Sequence, residues 1–425
     1  MDDIVITLFF ILCVIHFSLS ISNVWWKKNT FQISLIINTV PFVFYSQLSQ
    51  NELRFHGVPY GYFPIIASAI PYILGYLYSG VKKGADKKVK YPLFIFLGYC
   101  TLSVIFGFKV VESIPYLISW VLNVLLLLAV WWSLRKEDEW KILSIISNFI
   151  VILVLCCLIG LGKYFFGVSS DANFMPLFNR NATLIFICTL VPIVPALWSS
   201  GKINVTKLIL YLTVLFFVLV FIESRSGLIA VCYAFLSSLY AAMKIKMHNK
   251  KISLILLAII LCSGILVVLN SGVGERFGYL TDTLNIVTGG GSIEKGEQDF
   301  DRAMLLSFAF EMIYSNPIFG VGIGLSNYQH ALEVMGVNFH RLSKAHNFYI
   351  SYLAEFGFVG FSILIYAFYR IYVLVQINVF AKQCFITAAI LLIFNEYILL
   401  PELWYFMGLL LAYSSKIQNK NWRLK

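Results

Sequence analysis

Apolar residues in this chain fall in long uninterrupted runs, not in the alternation of a half-buried strand or the narrow stripe of a surface helix. The runs cover approximately residues 4–22, 31–47, 59–80, 91–109, 114–133, 142–162, 181–199, 208–223, 226–243, 252–270, 348–370, 383–399 and 403–415. Most approach the ~20 residues a helix needs to cross about 30 Å of hydrocarbon at about 1.5 Å per residue. The pattern predicts an all-α fold, a polytopic transmembrane helical bundle of about 12–13 spans. Prolines 41, 64, 71, 192 and 195 inside the runs are compatible with this, because neighbouring helices can satisfy the carbonyls a proline frees. Only Met1, Asp2 and Asp3 precede the first run, with no basic region and no cleavage site, so that run is expected to remain as a helix.

One long hydrophilic segment, about 271–347, interrupts the pattern. Within it Asp301 to Tyr314 reads as an amphipathic helix with Met304, Phe308 and Met312 on one stripe, ended by Ser315-Asn316-Pro317. A second short helix is expected over Leu325 to Met335, after glycines 320, 322 and 324. Three units follow: N-terminal transmembrane helices (1–270), a lid loop containing short helices (271–347), and C-terminal transmembrane helices with a tail (348–425).

Composition agrees, with 60% hydrophobic residues, 12% charged and a mean hydropathy of +0.83 excluding a water-soluble globule. The net charge of +11 would suggest nucleic acid in a soluble protein, but here it sorts by membrane side. Taking alternate connections, one side collects 22 of the 32 basic residues and is expected to be cytoplasmic, which places 271–347 outside. Six of the ten basic residues on the outer side are arginine, whereas the inner set is mostly lysine. Orientation needs only charge, so this bias toward the planar, bidentate side chain points to carboxylate or phosphate binding. The eight cysteines lie in apolar stretches without metal-ligand spacing and read as buried thiols, with no metal site indicated.

Candidate chemistry gathers on the outer side. Glu223-Ser-Arg225 lies between two apolar runs with almost no loop, so Arg225 sits at the interface either as a snorkelling anchor or as a grip on a lipid-linked phosphate. Arg180, between two asparagines, opens another run and reads first as an interfacial anchor. Arg302 begins the first lid helix, where free backbone N–H groups add to an anion site. His346 stands where the lid returns to the membrane, ahead of a run containing Glu355, and an imidazole there can accept a proton from a hydroxyl. The glycines of Gly320-Val-Gly-Ile-Gly324 follow a helix and an Asn-Pro turn instead of a strand, which argues against a nucleotide-binding loop. Asp299-Phe-Asp301 reads as helix capping. The aromatic residues, 16% of the chain, read as an interface belt and lipid-facing bulk.

Three stretches together resemble the O-antigen ligase and O-antigen polymerase superfamily of bacterial envelopes: Glu223-Ser-Arg-Ser-Gly-Leu228, Asn316-Pro-Ile-Phe-Gly-Val-Gly-Ile-Gly-Leu-Ser-Asn-Tyr328, and His346-Asn-Phe-Tyr-Ile-Ser-Tyr-Leu-Ala-Glu-Phe-Gly-Phe-Val-Gly360. The resemblance covers about residues 180–400. It implies a GT-C-like, metal-independent and cofactor-free inverting glycosyltransferase in the bacterial inner membrane. Its implied partners are a glycan on undecaprenyl pyrophosphate, membrane lipid and a polysaccharide chain-length regulator, with no nucleic acid. By motif, Arg225 and Arg302 would hold the pyrophosphate and His346 would be the base. Arg180 joins them from the residue reading alone, and Glu223 and Glu355 are secondary candidates for the base. The Asn-Phe-Tyr and Leu-Ala-Glu-Phe-Gly form favours a polymerase, with the ligase, which transfers the glycan to lipid A core, close behind. A lipid-linked glycan transporter is the alternative from another class.

Overall fold

The computed structural model describes residues 2–26, 54–55, 58–59, 62–80, 87–135, 137–166, 187–221, 298–336, 344–393 and 395–423, with isolated residues between 230 and 241. The expected spans 31–47, 226–243 and 252–270 lie wholly or largely outside them. The regular elements among the described residues are helices apart from one short antiparallel ladder, Arg54–Phe55 with Val58–Pro59.

The N-terminal helices are α1 (Asp2–Trp26), α2 (Tyr62–Gly75, extended by a wider turn Tyr76–Gly80), α3 (Lys87–Ile105), α4 (Val110–Leu134), α5 (Glu139–Phe165), α6 (Val194–Ser199) and α7 (Val205–Phe221). The hydrophilic segment supplies α8 (Gln298–Ser315) and α9 (Leu325–Val334). The remaining helices are α10 (Phe348–Val375), α11 (Val379–Leu391) and α12 (Pro401–Arg423). Among the described residues, α3, α4, α5 and α10 are long and apolar enough to cross a membrane. This is an all-α bundle of the polytopic membrane kind.

Helix α4 is central, packing on α12, α3 and α2, while α10 packs on α3 and α12. Small residues allow the closest approaches: a Cβ at Gly408 of α12 would lie 2.9 Å from the Leu127 carbonyl of α4. The aromatic residues are not only belt and lipid-facing bulk. Phe96, Trp120, Phe348, Tyr352, Phe356 and Trp404 are fully buried where α3, α4, α10 and α12 meet. Their rings pack edge-on or tilted, with Phe96 4.9 Å from Trp120, Trp120 5.8 Å from Trp404 and Phe348 4.9 Å from Tyr352.

Connections meet according to the side on which the charge pattern puts them. At one end, the Lys202 ammonium lies 3.3 Å from the Trp140 ring centroid and donates to the Ser144 hydroxyl, joining the start of α5 to the turn before α7. At the other end, the α3–α4 turn meets the start of α9. Asn327 accepts the Lys109 N–H (2.7 Å) and donates to the Ser113 hydroxyl (2.7 Å), and the Ile323 N–H donates to the Ser103 hydroxyl.

The two helices expected in the hydrophilic segment both form, with one rotation of face. On α8 the buried stripe is Leu305, Ala309 and Met312, while Met304 and Phe308 flank it. Ala309 and Met312 join Val321, Tyr328, Leu332, Ala345 and Ala354 in a second, smaller core that seats α8 and α9 against the first turns of α10.

Candidate functional site

Helix α10 is broken at Gly357 (φ 60°, ψ −175°), and the glycine-rich stretch after α8 fills the break. The Phe358 and Val359 N–H groups donate to the Pro317 and Ile318 carbonyls at 2.8 and 3.2 Å. In return the Val321 and Gly322 N–H groups donate to the Ala354 and Glu355 carbonyls at 2.9 and 3.0 Å. The Tyr99 hydroxyl sits between the Phe356 carbonyl (2.5 Å) and the Phe319 carbonyl (3.1 Å). Irregular backbone inside a membrane bundle is tolerated where protein groups pair it, as they do here. The glycines serve that approach. A Cβ at Gly320 would lie 2.4 Å from the Glu355 carbonyl, and one at Gly357 would lie 2.4 Å from that of Ile318. The stretch is thus a backbone plug and not a phosphate cradle.

The plug carries Glu355 to its partners. Glu355 is buried; its Oε2 accepts the Gly324 N–H at 2.9 Å, and its Oε1 pairs with the buried Lys344 ammonium. The ammonium also lies 4.9 Å from the Tyr352 ring centroid and 5.8 Å from that of Tyr116. Burial works against a charged Lys344, but Glu355, then Tyr352 and Glu396, hold it well above the usual lysine range.

Two residues on, His346 has φ 51°, the left-handed region that a non-glycine residue adopts at a cost. The bend is held on both sides. Asn347 caps α10 by accepting the Ile350 N–H at 3.1 Å, and the Phe348 N–H is shared between the Leu392 (2.9 Å) and Asn395 (3.1 Å) carbonyls. The imidazole is 38% exposed, accessible to a substrate, and its Nδ1 lies 3.7 Å from Oε1 of Glu396, whose side chain is only 16% exposed. Glu396 comes from the connection between α11 and α12 and accepts the His346 backbone N–H. Burial pushes its carboxyl up from 4.5 to about 7. Lys344 pulls it back, Glu355 pushes it further up, and the His346 N–H and Ser351 hydroxyl favour the ionised form. One buried ammonium thus serves two carboxylates. Glu355 takes the direct contact, and Glu396 lies beside the imidazole with its carboxyl raised by burial.

The structure therefore brings together His346 and the helix that carries Glu355, and packs on that helix α8, the helix near whose start Arg302 lies. Arg180, Glu223 and Arg225 lie outside the described residues. Glu355 is occupied by Lys344 and Gly324. Glu396 was missed by the sequence reading; the available signal was a carboxylate inside the apolar run 383–399, which is costly without a purpose. Lys344 was counted only as an outer charge.

A strained, accessible imidazole beside a mostly buried carboxyl, at one end of a helical membrane bundle, is an arrangement able to accept and release a proton. Residues 210–365 match the family model described as O-antigen ligase, which supports placing the chain in the superfamily of O-antigen ligases and polymerases. These are glycosyltransferase-like membrane enzymes acting on lipid-linked glycans. The matched stretch includes Arg225, Arg302, His346 and Glu355, while Arg180 and Glu396 lie beyond it. No curated protein matches the chain.

Proposed function

We propose that the chain is an O-antigen polymerase, joining surface-polysaccharide repeat units carried on undecaprenyl pyrophosphate at the outer face of the bacterial inner membrane. The observation that carries this reading is His346, held in a left-handed bend with its ring exposed and the mostly buried Glu396 carboxyl beside it. Neutral His346 accepts the proton of the acceptor sugar hydroxyl as that oxygen attacks the anomeric carbon of the donor. The carbon–oxygen bond to the pyrophosphate breaks on the opposite face, so the configuration inverts. Ionised Glu396 stabilises the imidazolium that forms, as a buried carboxylate does for a histidine base. Arg225 and Arg302, together with Arg180, would neutralise the charge growing on the departing pyrophosphate, a task suited to permanently charged guanidiniums. The scheme needs no metal and no cofactor.

A second reading is the ligase that the family description names, in which the same step places the glycan on a sugar of the lipid A core; the family match is common to both readings. Purified protein supplied with lipid-linked repeat units and no nucleotide sugar tests both. Longer lipid-linked glycans with released undecaprenyl pyrophosphate mark the polymerase, and product only when lipid A core is added marks the ligase. His346→Gln is expected to lower transfer by roughly 10²- to 10⁴-fold, the range of a lost general base, with donor binding retained. No product with either acceptor refutes the enzyme reading and favours a transporter.

A further inference from the structure

Lys344 is a buried cation, and its surroundings are specific. It stands two residues before His346, on the near side of the bend, and meets Glu355 from α10, which is itself fixed by the Gly324 N–H of the plug. The far side of the bend is fixed by Asn347 and by the Phe348 N–H. The strained conformation at His346 is thus clamped from both directions, as strained residues must be to persist. We propose that Lys344, paired with Glu355, is a positioning residue for His346: the buried pair pins the bend that presents the imidazole and acts through its charges on the Glu396 carboxyl behind it.

The groups facing Glu396 are Lys344 and His346 from the bend, Tyr328 from α9, Glu355 and Tyr352 from α10, and Tyr116 from α4. Among these, Lys344 is the cation that favours ionised Glu396 and Glu355 the carboxylate that opposes it, with the lysine the larger influence. This proposal rests on His346 as the base and adds what makes it one: an ionised partner, available because Lys344 is buried beside it.

Two variants of the full-length protein separate charge positioning from a merely structural pin. Glu355→Gln keeps the side-chain shape and an acceptor for Gly324 but removes a negative charge, so Glu396 should ionise at lower pH. Adding Lys344→Met removes the cation too, and Glu396 should then ionise at higher pH than in the wild type, by roughly one unit. Replacing both members of a buried pair by neutral groups of similar volume usually preserves folding. The readout is the infrared carboxylic-acid band of Glu396, assigned by its absence in Glu396→Gln, followed against pH in purified protein. Transfer assays on the double variant should show the acid limb of the rate profile moved the same way, with about tenfold lower kcat near neutral pH and an unchanged KM. A Glu396 band that titrates at one pH in every folded variant overturns the proposal. Should the double variant fail to insert, the downward shift in Glu355→Gln decides alone. The infrared measurement needs no transfer, so a wild type that transfers nothing refutes the enzyme reading and leaves the charge coupling decided on its own evidence.

Discussion

Replacing Glu396 by glutamine separates what its carboxyl costs the fold from what it does for His346. Burial raises this carboxyl from 4.5 to about 7 in the folded chain, so the folded state holds the proton more tightly than the unfolded one. The sign follows from that difference. Stability is full below 4.5, falls as pH rises through the window from 4.5 to about 7, and the loss is complete above it. At ~1.4 kcal/mol per unit the gap corresponds to an upper bound of about 3.5 kcal/mol. Glutamine carries no such penalty at any pH. Thermal midpoints of purified wild type and Glu396→Gln, followed by fluorescence-detected size exclusion at pH 5 and pH 8, give the comparison. Other titrating groups are common to the two proteins and cancel in the difference.

Glu396→Gln should gain on the wild type by a few degrees on going from pH 5 to pH 8, on the usual scaling of stability to melting temperature. Its transfer activity at pH 8 should fall by roughly tenfold or more, because the imidazolium formed during the reaction loses its counter-charge. A variant less stable than the wild type by the same amount at both pH values would refute the argument, as it would mean the carboxyl is a structural hydrogen-bond acceptor in either protonation state.

The plug makes a backbone prediction: Gly320→Ala combines a left-handed φ of 72° with a Cβ 2.4 Å from the Glu355 carbonyl, and should cost about 3–5 kcal/mol, mostly as lost folded protein. Gly201→Ala, with φ 79° and open space around it, should cost only about 1 kcal/mol, so equal melting temperatures would show that the close approach is absent. Arg225→Lys and Arg302→Lys keep the charge but lose the bidentate fork, and each should reduce polymer output severely at normal insertion, with Arg180→Lys milder; near-normal output would make them interfacial anchors. For sidedness, an impermeant maleimide should label Glu333→Cys in cells with a permeable outer envelope, and Asn204→Cys only after the inner membrane is opened. The reverse pattern would move the site to the cytoplasm.

Much of the bundle was readable from apolar run length alone, because a helix that must satisfy its backbone in lipid has few other options. The expected run 114–133 became α4 at Val110–Leu134, and the two lid helices lie within a few residues of their expected bounds. The break at Gly357 was not readable. A glycine such as 357 or 360 in the 28-residue stretch Phe348–Val375 is ordinary in a membrane helix, and what opens the helix at Gly357 is the approach of Gly320, 37 positions earlier. The burial of the aromatic residues was misjudged for a related reason: composition cannot tell a ring facing lipid from one facing Trp120. His346 was singled out from its place at the end of the hydrophilic segment. Its carboxyl partner lies 50 positions later, across two helices, where no local spacing reveals it.

The glycine stretch and the histidine stretch look like separate motifs in the sequence, and physically they are one packing unit. A continuous α10 would have no free carbonyls at Ala354 and Glu355, and the plug would have nothing to bind. With the break, the plug delivers the Gly324 N–H to Glu355, Glu355 holds Lys344, and Lys344 fixes the near side of the bend at His346. It follows that loss of the plug should damage the site without touching it: a folded variant with the glycine contacts weakened should lose transfer more steeply than it loses donor binding.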